Sequence, residues 1–522
     1  MKMLDEKGPA AGRLHGAQKE VDTTIPYQGG SVNCEISRTE IIVNEIPELH
    51  ERSRLMLEAV AQSGRPVYQM DGTPVRIKHT EKGTRIEPVN ADAMRHEISQ
   101  SACCLKELSD GSCKEIDPPI DAVRDALASA WMPLAPINGV ACHPVVTDGC
   151  KIISRYGYNR DTGLFIDAPP DILQAAHNIP IVPSDAEVRD SIQLIGEVVY
   201  DFPFDTPADK AGYYALLLTL ICRPMITGQI PAFMVQAATP GTGKSLLVET
   251  AIKIITGAGA IPTAFTADEE EARKILHAAL LSGCEYILLD NINFRLKSAV
   301  LCEVITAGSL NARILGYSKM VRAINNATFV LTSNNPDMSR EVARRCVPIT
   351  LSCDLENPAS RTDFKHPDLD LFIRENRPAL IRAALVMTQA WAAAEWDTSG
   401  VRVMGSFEGW SRTIGGILKA CGIPGFLENT ADIMDSDSDA ENWTAFITEW
   451  YREHEGSQVK ARELLPMALR HGLVDSRKPE SFQLRSLGRL FSRKRNTVHG
   501  GIKVIKSTEQ QGNLTWKALK VH

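Results

Sequence analysis

The sequence lacks several features that define whole classes of protein. No apolar run reaches the roughly 18 residues that cross a membrane, and YYALLLTLIC at 213–222 predicts a buried helix instead. The N-terminal segment has no apolar h-region, so we expect no secretory signal. The twelve cysteines include no C-x-x-C pair, which favours reduced thiols over a disulfide framework. Together these features predict a cytoplasmic protein with no membrane partner.

Recognisable metal-binding patterns are missing as well. One group of thiol and imidazole side chains matches no zinc knuckle or ribbon in its spacing, which favours free thiols: Cys103, Cys104, Cys113, Cys142, His143 and Cys150. The acidic stretch DIMDSDSDAEN at 432–442 is typical of a linker, with metal chelation as the alternative.

Net charge is distributed unevenly along the chain. The formal net charge is −7, yet residues 457–522 hold 14 Lys and Arg against 4 Asp and Glu, a local +10 that leaves −17 for the rest. A basic segment on an acidic body indicates an anionic partner for that segment.

The chain is long enough for several domains, and its patterns divide it into five parts. We predict a disordered or extended lead over 1–45, an α+β domain over 46–185, and a helical lead with alternating strands and helices over 186–430. An acidic linker over 431–443 and a basic domain over 444–522 follow. The alternation of apolar strand-like runs with helices in the third part predicts an α/β fold with a parallel sheet.

A glycine loop lies between a strand-like and a helix-like run. The stretch AATPGTGKSLLVET follows the apolar run 232–237 and opens a helical pattern. This context is typical of a phosphate-binding loop, whose backbone N–H groups and following helix N-terminus favour an anion. Lys244 is expected to reach the β- and γ-phosphates, and the Ser245 hydroxyl to ligate Mg²⁺. The predicted nucleotide-binding residues are Thr239, Pro240, Gly241, Thr242, Gly243, Lys244, Ser245 and Leu246.

The loop departs from the usual pattern at one position. Ala238 stands where the first glycine is expected, which is tolerable if that residue needs no positive φ. A dinucleotide fingerprint is excluded because Leu246 stands where it requires glycine. The alternative is a chance glycine-rich turn.

Downstream polar residues follow in a definite order. Asp290 ends the apolar run EYILLDN and suits a carboxylate that holds Mg²⁺ through water, with Asn291 beside it. Asn334 lies near the end of the strand-like run TFVLTSNN and is suited to sensing the γ-phosphate or orienting water. Arg344 and Arg345 suit arginine fingers acting on a neighbouring subunit. Singly, such residues are also helix caps, turn formers or solvated surface; their order after the glycine loop favours catalysis.

The order of these motifs resembles the superfamily 3 helicase branch of AAA+ ATPases. The stretches RILGYSKMVRAINNATFVLTSNNPDMSREVARRCVPI and GSFEGWSRTIGGILKACGIPGFLEN are similar to the helicase part of phage- and plasmid-type primase-helicase proteins of mobile elements. The resemblance covers roughly 185–430 and, more weakly, 50–165. It implies an AAA+ P-loop core with ATP and Mg²⁺ as cofactors, a homo-oligomeric ring that is usually a hexamer, and single-stranded or forked DNA as partner. It also implies a collar role for the N-terminal domain, and any priming is expected from a separate primase.

The family further implies a hairpin before the sensor strand whose tip grips DNA. Here it maps onto ARILGYSKMVRAI, with Arg313, Tyr317 and Lys319 as candidate DNA contacts. An aromatic ring for base stacking beside a cation for phosphate is the combination that single-strand binders use. A purely structural hairpin is the competing interpretation.

One position departs from the family. Many relatives carry a second acid after the strand-end Asp as the water-activating base, whereas Asn291 cannot accept a proton at neutral pH. The candidates for a replacement base are Glu269, Glu270 and Glu271.

The basic C-terminus resembles a winged helix-turn-helix. Phe482, Leu484, Leu487, Leu490 and Phe491 are expected on the buried face of one helix. The cations predicted to face outward and contact DNA are Arg485, Arg489, Arg493, Lys494 and Arg495. A solvated basic face or a protein-docking module are the alternatives.

Three hypotheses result. The first is an ATP-dependent, ring-forming DNA helicase that translocates on single-stranded DNA during replication of a phage, plasmid or integrative element. The second is a DNA-binding AAA+ ATPase that acts as a nucleotide-dependent regulatory or defence switch without unwinding, which Asn291 favours. The third, a small-molecule kinase, is disfavoured because a monomeric kinase needs neither the sensor strand nor the arginine pair.

Overall fold

The computed structural model describes residues 38–80, 83–313, 320–334, 336–353, 361–430, 439–508 and 514–521. The predicted DNA contacts Tyr317 and Lys319 lie outside these ranges, and the side chains of Arg313 and Arg493 are likewise outside the described part.

The strands are short and spread over the whole chain. They are β1 (Thr39–Ile42), β2 (Val67–Met70), β3 (Thr73–Thr80), β4 (Gly83–Pro88), β5 (Ala102–Glu107), β6 (Cys113–Glu115), β7 (Gly139–Ala141), β8 (Val145–Thr147), β9 (Lys151–Ile153), β10 (Gly157–Asn159), β11 (Leu164–Ile166), β12 (Ala232–Ala237), β13 (Tyr286–Ile292), β14 (Ser309–Arg313), β15 (Met320–Ile324), β16 (Thr328–Asn334), β17 (Cys346–Leu351), β18 (Val459–Lys460), β19 (Val498–His499), β20 (Ile502–Thr508) and β21 (Leu514–Lys520).

Helices connect and cover these strands. They are α1 (Leu49–Gln62), α2 (Ala91–Ser101), α3 (Ile120–Ala128), α4 (Pro170–Ala175), α5 (Asp185–Val198), α6 (Pro207–Cys222), α7 (Lys244–Thr256), α8 (Glu269–Leu281), α9 (Ala299–Thr306), α10 (Arg340–Ala343), α11 (Leu369–Ala393), α12 (Glu408–Ala420), α13 (Asp439–His454), α14 (Ala461–Arg470) and α15 (Glu480–Lys494).

The central feature is a four-stranded parallel sheet in the order β13-β16-β12-β17. Its strands are nearly continuous apolar runs, as expected where helices cover both faces of a sheet. A parallel bridge between Pro262 and Leu288 adds one more segment beside β13. The sequence prediction of an α/β region with a parallel sheet is confirmed.

A single large hydrophobic core surrounds this sheet. It runs from Leu427 back to Ala141 and includes helix α6, whose YYALLLTLIC stretch is buried throughout. Residues 141–176 therefore pack into the same core as the helical lead, across the boundary predicted at residue 185.

The N-terminal region is a mixture of helices and short sheets, as predicted. Strand β1 pairs in parallel with β5, and Ile41 and Val43 are buried in a core that α1, α2 and α3 complete. Within the range 1–45, which was predicted as a disordered or extended lead, Thr39–Ile42 is an extended strand whose partner lies some 60 residues further along the chain.

The C-terminal region has its own core. Helices α13, α14 and α15 pack on the antiparallel sheet β18-β21-β20-β19, around the buried rings of Trp443, Trp450, Phe491 and Trp516. Helix α13 begins at Asp439, inside the range 431–443 that was predicted as a linker. In the described ranges, no helix is long and apolar enough to cross a membrane.

Candidate functional site

The glycine loop joins β12 to α7 at the carboxyl end of the parallel sheet. Gly241 and Gly243 adopt left-handed backbone angles, with φ of 80° and 92°. Ala238 does not, so the condition under which alanine is tolerable at that position is met. A β-carbon on Gly243 would lie 3.2 Å from the Phe202 ring, which packs against the loop.

Lys244 is the first residue of α7, and it is buried. Its Nζ donates a hydrogen bond of 2.5 Å to Oδ1 of Asn334. The two meet because Ala237 is paired with Asn334 in the ladder between β12 and β16. Burial lowers the pKa of Lys244, and the nearby Asp290 carboxylate partly offsets this effect. A desolvated ammonium held by a neutral amide is suited to an incoming anion.

The Asp290 carboxylate accepts hydrogen bonds from hydroxyl groups on two neighbouring elements, α7 and β16. Its Oδ1 accepts a hydrogen bond of 2.9 Å from Ser245 Oγ and one of 2.6 Å from Thr332 Oγ1. Thr332 in turn accepts the backbone N–H of Asn291 at 2.7 Å. Strand β16 lies between β12 and β13, so Thr332 and Asn334 stand between the glycine loop and Asp290.

The residues present fit a phosphate with a magnesium ion. Hard divalent cations prefer carboxylate and hydroxyl oxygens, which Asp290 and Ser245 supply side by side. The buried ammonium of Lys244 and the start of α7 favour negative charge at the same place. The predicted residues Lys244, Ser245, Asp290 and Asn334 are thus brought together.

The two arginines are not part of this cluster. The main chain of Arg345 accepts the N–H of Ala232 at the amino end of β12, whereas the glycine loop follows the carboxyl end of that strand. Both guanidinium groups donate to the Glu341 carboxylate, at 2.6 Å from Arg344 and 2.8 Å from Arg345. Arg344 is 45% exposed and Arg345 only 14%.

The three candidate bases lie at the start of α8. Glu269 accepts the backbone N–H of Val300 with its Oε2 at 3.0 Å, so this carboxylate binds near the beginning of α9. Glu271 forms an ion pair with Lys274 on its own helix. The identity of a base among Glu269, Glu270 and Glu271 stays a prediction.

The predicted hairpin before the sensor strand is present as β14 and β15, which pair in antiparallel register from Ser309–Ile324 to Arg313–Met320. The Asp71–Gly72 turn of the N-terminal region contacts the middle of β15, where Asp71 Oδ2 accepts the N–H of Arg322 at 2.9 Å. Both turn residues have positive φ, which is typical of a tight two-residue hairpin turn.

In the C-terminal region, α15 buries Leu487, Leu490 and Phe491, as predicted. Phe482 was expected on that face, but it is 51% exposed because it lies in the first turn of the helix, beside Lys478. Arg485 and Arg489 are exposed. Arg495 instead donates to the carbonyl of Cys353 at 2.8 Å, just beyond β17.

Sequence reasoning missed two residues at the site. Thr332 links Asp290 to Asn291, and its place two residues before Asn334 in the run TFVLTSNN was the available signal. Phe202 packs against the glycine loop from a segment about 40 residues upstream, and no local sequence pattern predicts that contact.

No protein-family model matches the sequence, and no curated protein matches it. Among solved structures, the chain is similar to the apo structure of the NrS-1 C terminal region, with a TM-score of 0.38, 13% identity and coverage of 90% of this chain and 98% of that one. A second structure of that region gives a TM-score of 0.35 at the same identity. Likeness at this level assigns neither a family nor an activity to the chain.

Proposed function

We propose that this chain is a Mg²⁺-dependent ATPase of the AAA+ superfamily 3 type that works as a ring-forming DNA helicase in the replication of a mobile element. The observation that carries the proposal is the cluster in which Lys244 bonds Asn334 while Ser245 and Thr332 bond Asp290. In this cluster Lys244 is a cation suited to phosphate, and Ser245 and Asp290 are oxygen ligands suited to Mg²⁺. The Asn334 amide lies beside them at the same end of the parallel sheet.

Each residue of the cluster has a separate role in this proposal. Lys244 binds the β- and γ-phosphates, and the loop around Gly241 and Gly243 presents backbone N–H groups to them. Ser245 and Asp290 hold Mg²⁺, which would neutralise phosphate charge during transfer. Asn334 exchanges its bond with Lys244 for one with the γ-phosphate or the attacking water, and so reports which nucleotide is bound.

The arginine pair supports the assembly of a ring. Within one chain Arg344 lies at the other end of the sheet from the glycine loop, and nearly half of its side chain is exposed. We assign it to a neighbouring subunit's nucleotide, where a guanidinium stabilises transition-state charge. Hydrolysis then requires contact between copies of the chain, most simply in a hexamer.

The DNA-binding part of the proposal depends on charge. The exposed Arg485 and Arg489 on α15 belong to the segment with a local charge of +10. Such cations bind the phosphate backbone and give affinity more than sequence preference. The winged-helix interpretation of the C-terminal region and the grip of the β14–β15 hairpin on a single strand belong to the same proposal.

A second function is favoured by one observation. Asn291 stands beside Asp290 where a second acid is expected in a fast hydrolase, so the chain could use ATP as a conformational switch on DNA without unwinding it.

ATP turnover measured with and without single-stranded DNA tests the proposal. We expect turnover that DNA stimulates and that Lys244→Ala abolishes. Turnover that is absent in the wild-type chain, or unchanged in Lys244→Ala, contradicts it.

A further inference from the structure

Strand β13 contains an irregularity at the site itself. Leu289 is opposite Leu331 and Ile292 is opposite Ser333, so Asp290 and Asn291 together face the single residue Thr332. Two residues against one is a β-bulge, a feature that redirects side chains and is common beside active sites.

Side-chain hydroxyl groups from β16 hold this bulge. Thr332, 1% exposed, accepts the Asn291 N–H and donates its one proton to the Asp290 carboxylate. Ser333, 2% exposed, donates to the carbonyl oxygen of Ile292 at 2.6 Å. The two hydroxyl groups thus form hydrogen bonds with backbone and side-chain groups of β13 at the point where the ladder is interrupted.

The bulge imposes a backbone conformation on Asn291. Its φ is 54°, in the left-handed region, which asparagine tolerates far better than most residues with a β-carbon. Its side chain is exposed. The residue type at 291 therefore follows from the backbone, with no need for a role in proton transfer.

We propose that Thr332 is a positioning residue that pins this bulge and so directs the Asp290 carboxylate to the metal, and that Asn291 serves the bulge by its backbone conformation. The inference rests on the proposed function, because it assumes that Mg²⁺-nucleotide binds at Asp290. This proposal also explains why the second acid is absent: residue 291, which would carry it, must adopt the positive φ that the bulge requires.

Variants at position 332 separate positioning from packing. Thr332→Val keeps the shape but removes the acceptor of the Asn291 N–H and the donor to Asp290, whereas Thr332→Ser keeps both. Calorimetric titration with ADP, in Mg²⁺ and in EDTA, gives the readout. We expect Thr332→Val to lose about tenfold or more of the Mg²⁺-dependent affinity, since groups that orient metal ligands contribute on that scale. Its affinity in EDTA and that of Thr332→Ser in Mg²⁺ should stay within about twofold of wild type.

A second pair of variants tests the bulge if Thr332→Val does not fold. Asn291 is exposed, so substitution there disturbs no core. Asn291→Gly suits φ of 54° and should keep Mg²⁺-dependent ADP affinity, while the β-branched Asn291→Val should lose it as Thr332→Val does. Equal affinity for Gly and Val overturns the inference.

Different results would contradict the proposed function and the positioning role of Thr332. A wild-type chain that does not bind Mg²⁺-ADP, or binds it as well after Lys244→Ala, removes the proposed function. A wild-type chain that binds, with Thr332→Val binding equally well in Mg²⁺, removes only the positioning role.

Discussion

The Nζ atom of Lys244 lies 2.5 Å from Oδ1 of Asn334, so the first residue of α7 and the last residue of β16 are joined by a charge-assisted hydrogen bond. The bond links the residue expected to hold phosphate to the residue expected to sense it. We expect a nucleotide that attracts the ammonium to weaken this bond and to release Asn334.

Replacing Lys244 by methionine should stabilise the chain while it abolishes nucleotide binding. Burial lowers the pKa of Lys244, so the charged form is unfavourable in the folded state and its removal should raise the free energy of unfolding at neutral pH. The native state releases the Lys244 proton more readily than the unfolded state does. The free energy of unfolding of the wild-type chain should therefore increase relative to that of the variant as pH rises toward 10.5. Thermal unfolding without nucleotide, at several pH values, checks both statements; a less stable Lys244→Met contradicts them.

Asn334→Ala should separate binding from hydrolysis. Loss of the amide frees Lys244 for phosphate but removes the sensor, so ADP affinity should be kept while turnover falls by about 100-fold. Steady-state kinetics beside calorimetric titration measure the two quantities. Asn326→Ala is a suitable control, since its amide donates to the Asn138 carbonyl, away from the cluster. Loss of affinity with unchanged turnover would assign Asn334 to uniform binding instead.

Arg344→Ala and Lys244→Ala should each be inactive alone and regain turnover when mixed. An interface with the intact loop of one variant and the intact Arg344 of the other is complete, provided that the arginine acts between subunits. Arg345→Ala should behave differently, with lower thermal stability, because its side chain is only 14% exposed and contacts the Glu341 carbonyl. Mixtures as inactive as their components contradict action in trans.

Removing Arg485 and Arg489 together should weaken DNA binding and its dependence on salt. Each phosphate contact contributes about 0.9 to the slope of log affinity against log salt on duplex DNA, so the slope should fall by about 2. Arg477→Ala is the matched control, because this exposed arginine belongs to the same region but lies outside α15. Fluorescence anisotropy with a labelled duplex at several salt concentrations measures the slopes, and an unchanged slope favours a protein-docking role for the basic face.

The parts of this site that local sequence encodes were predictable. Glycines with positive φ, a lysine that begins a helix, and polar residues at the ends of apolar runs are all visible in the chain, and they define Lys244, Ser245, Asp290 and Asn334. The bulge at Asn291 was not predictable, because it depends on register with β16 and on the Thr332 hydroxyl. The pairing of β1 with β5 was likewise not predictable, because an edge strand is recognised only through its partner strand.

Unwinding of a forked DNA duplex with ATP, followed in the same samples as ATP turnover, tests the central claim most directly. The account predicts strand separation that requires ATP and Mg²⁺ and that disappears with Lys244→Ala. DNA binding accompanied by slow turnover and no strand separation would contradict the helicase and leave the nucleotide-dependent switch as the proposed function.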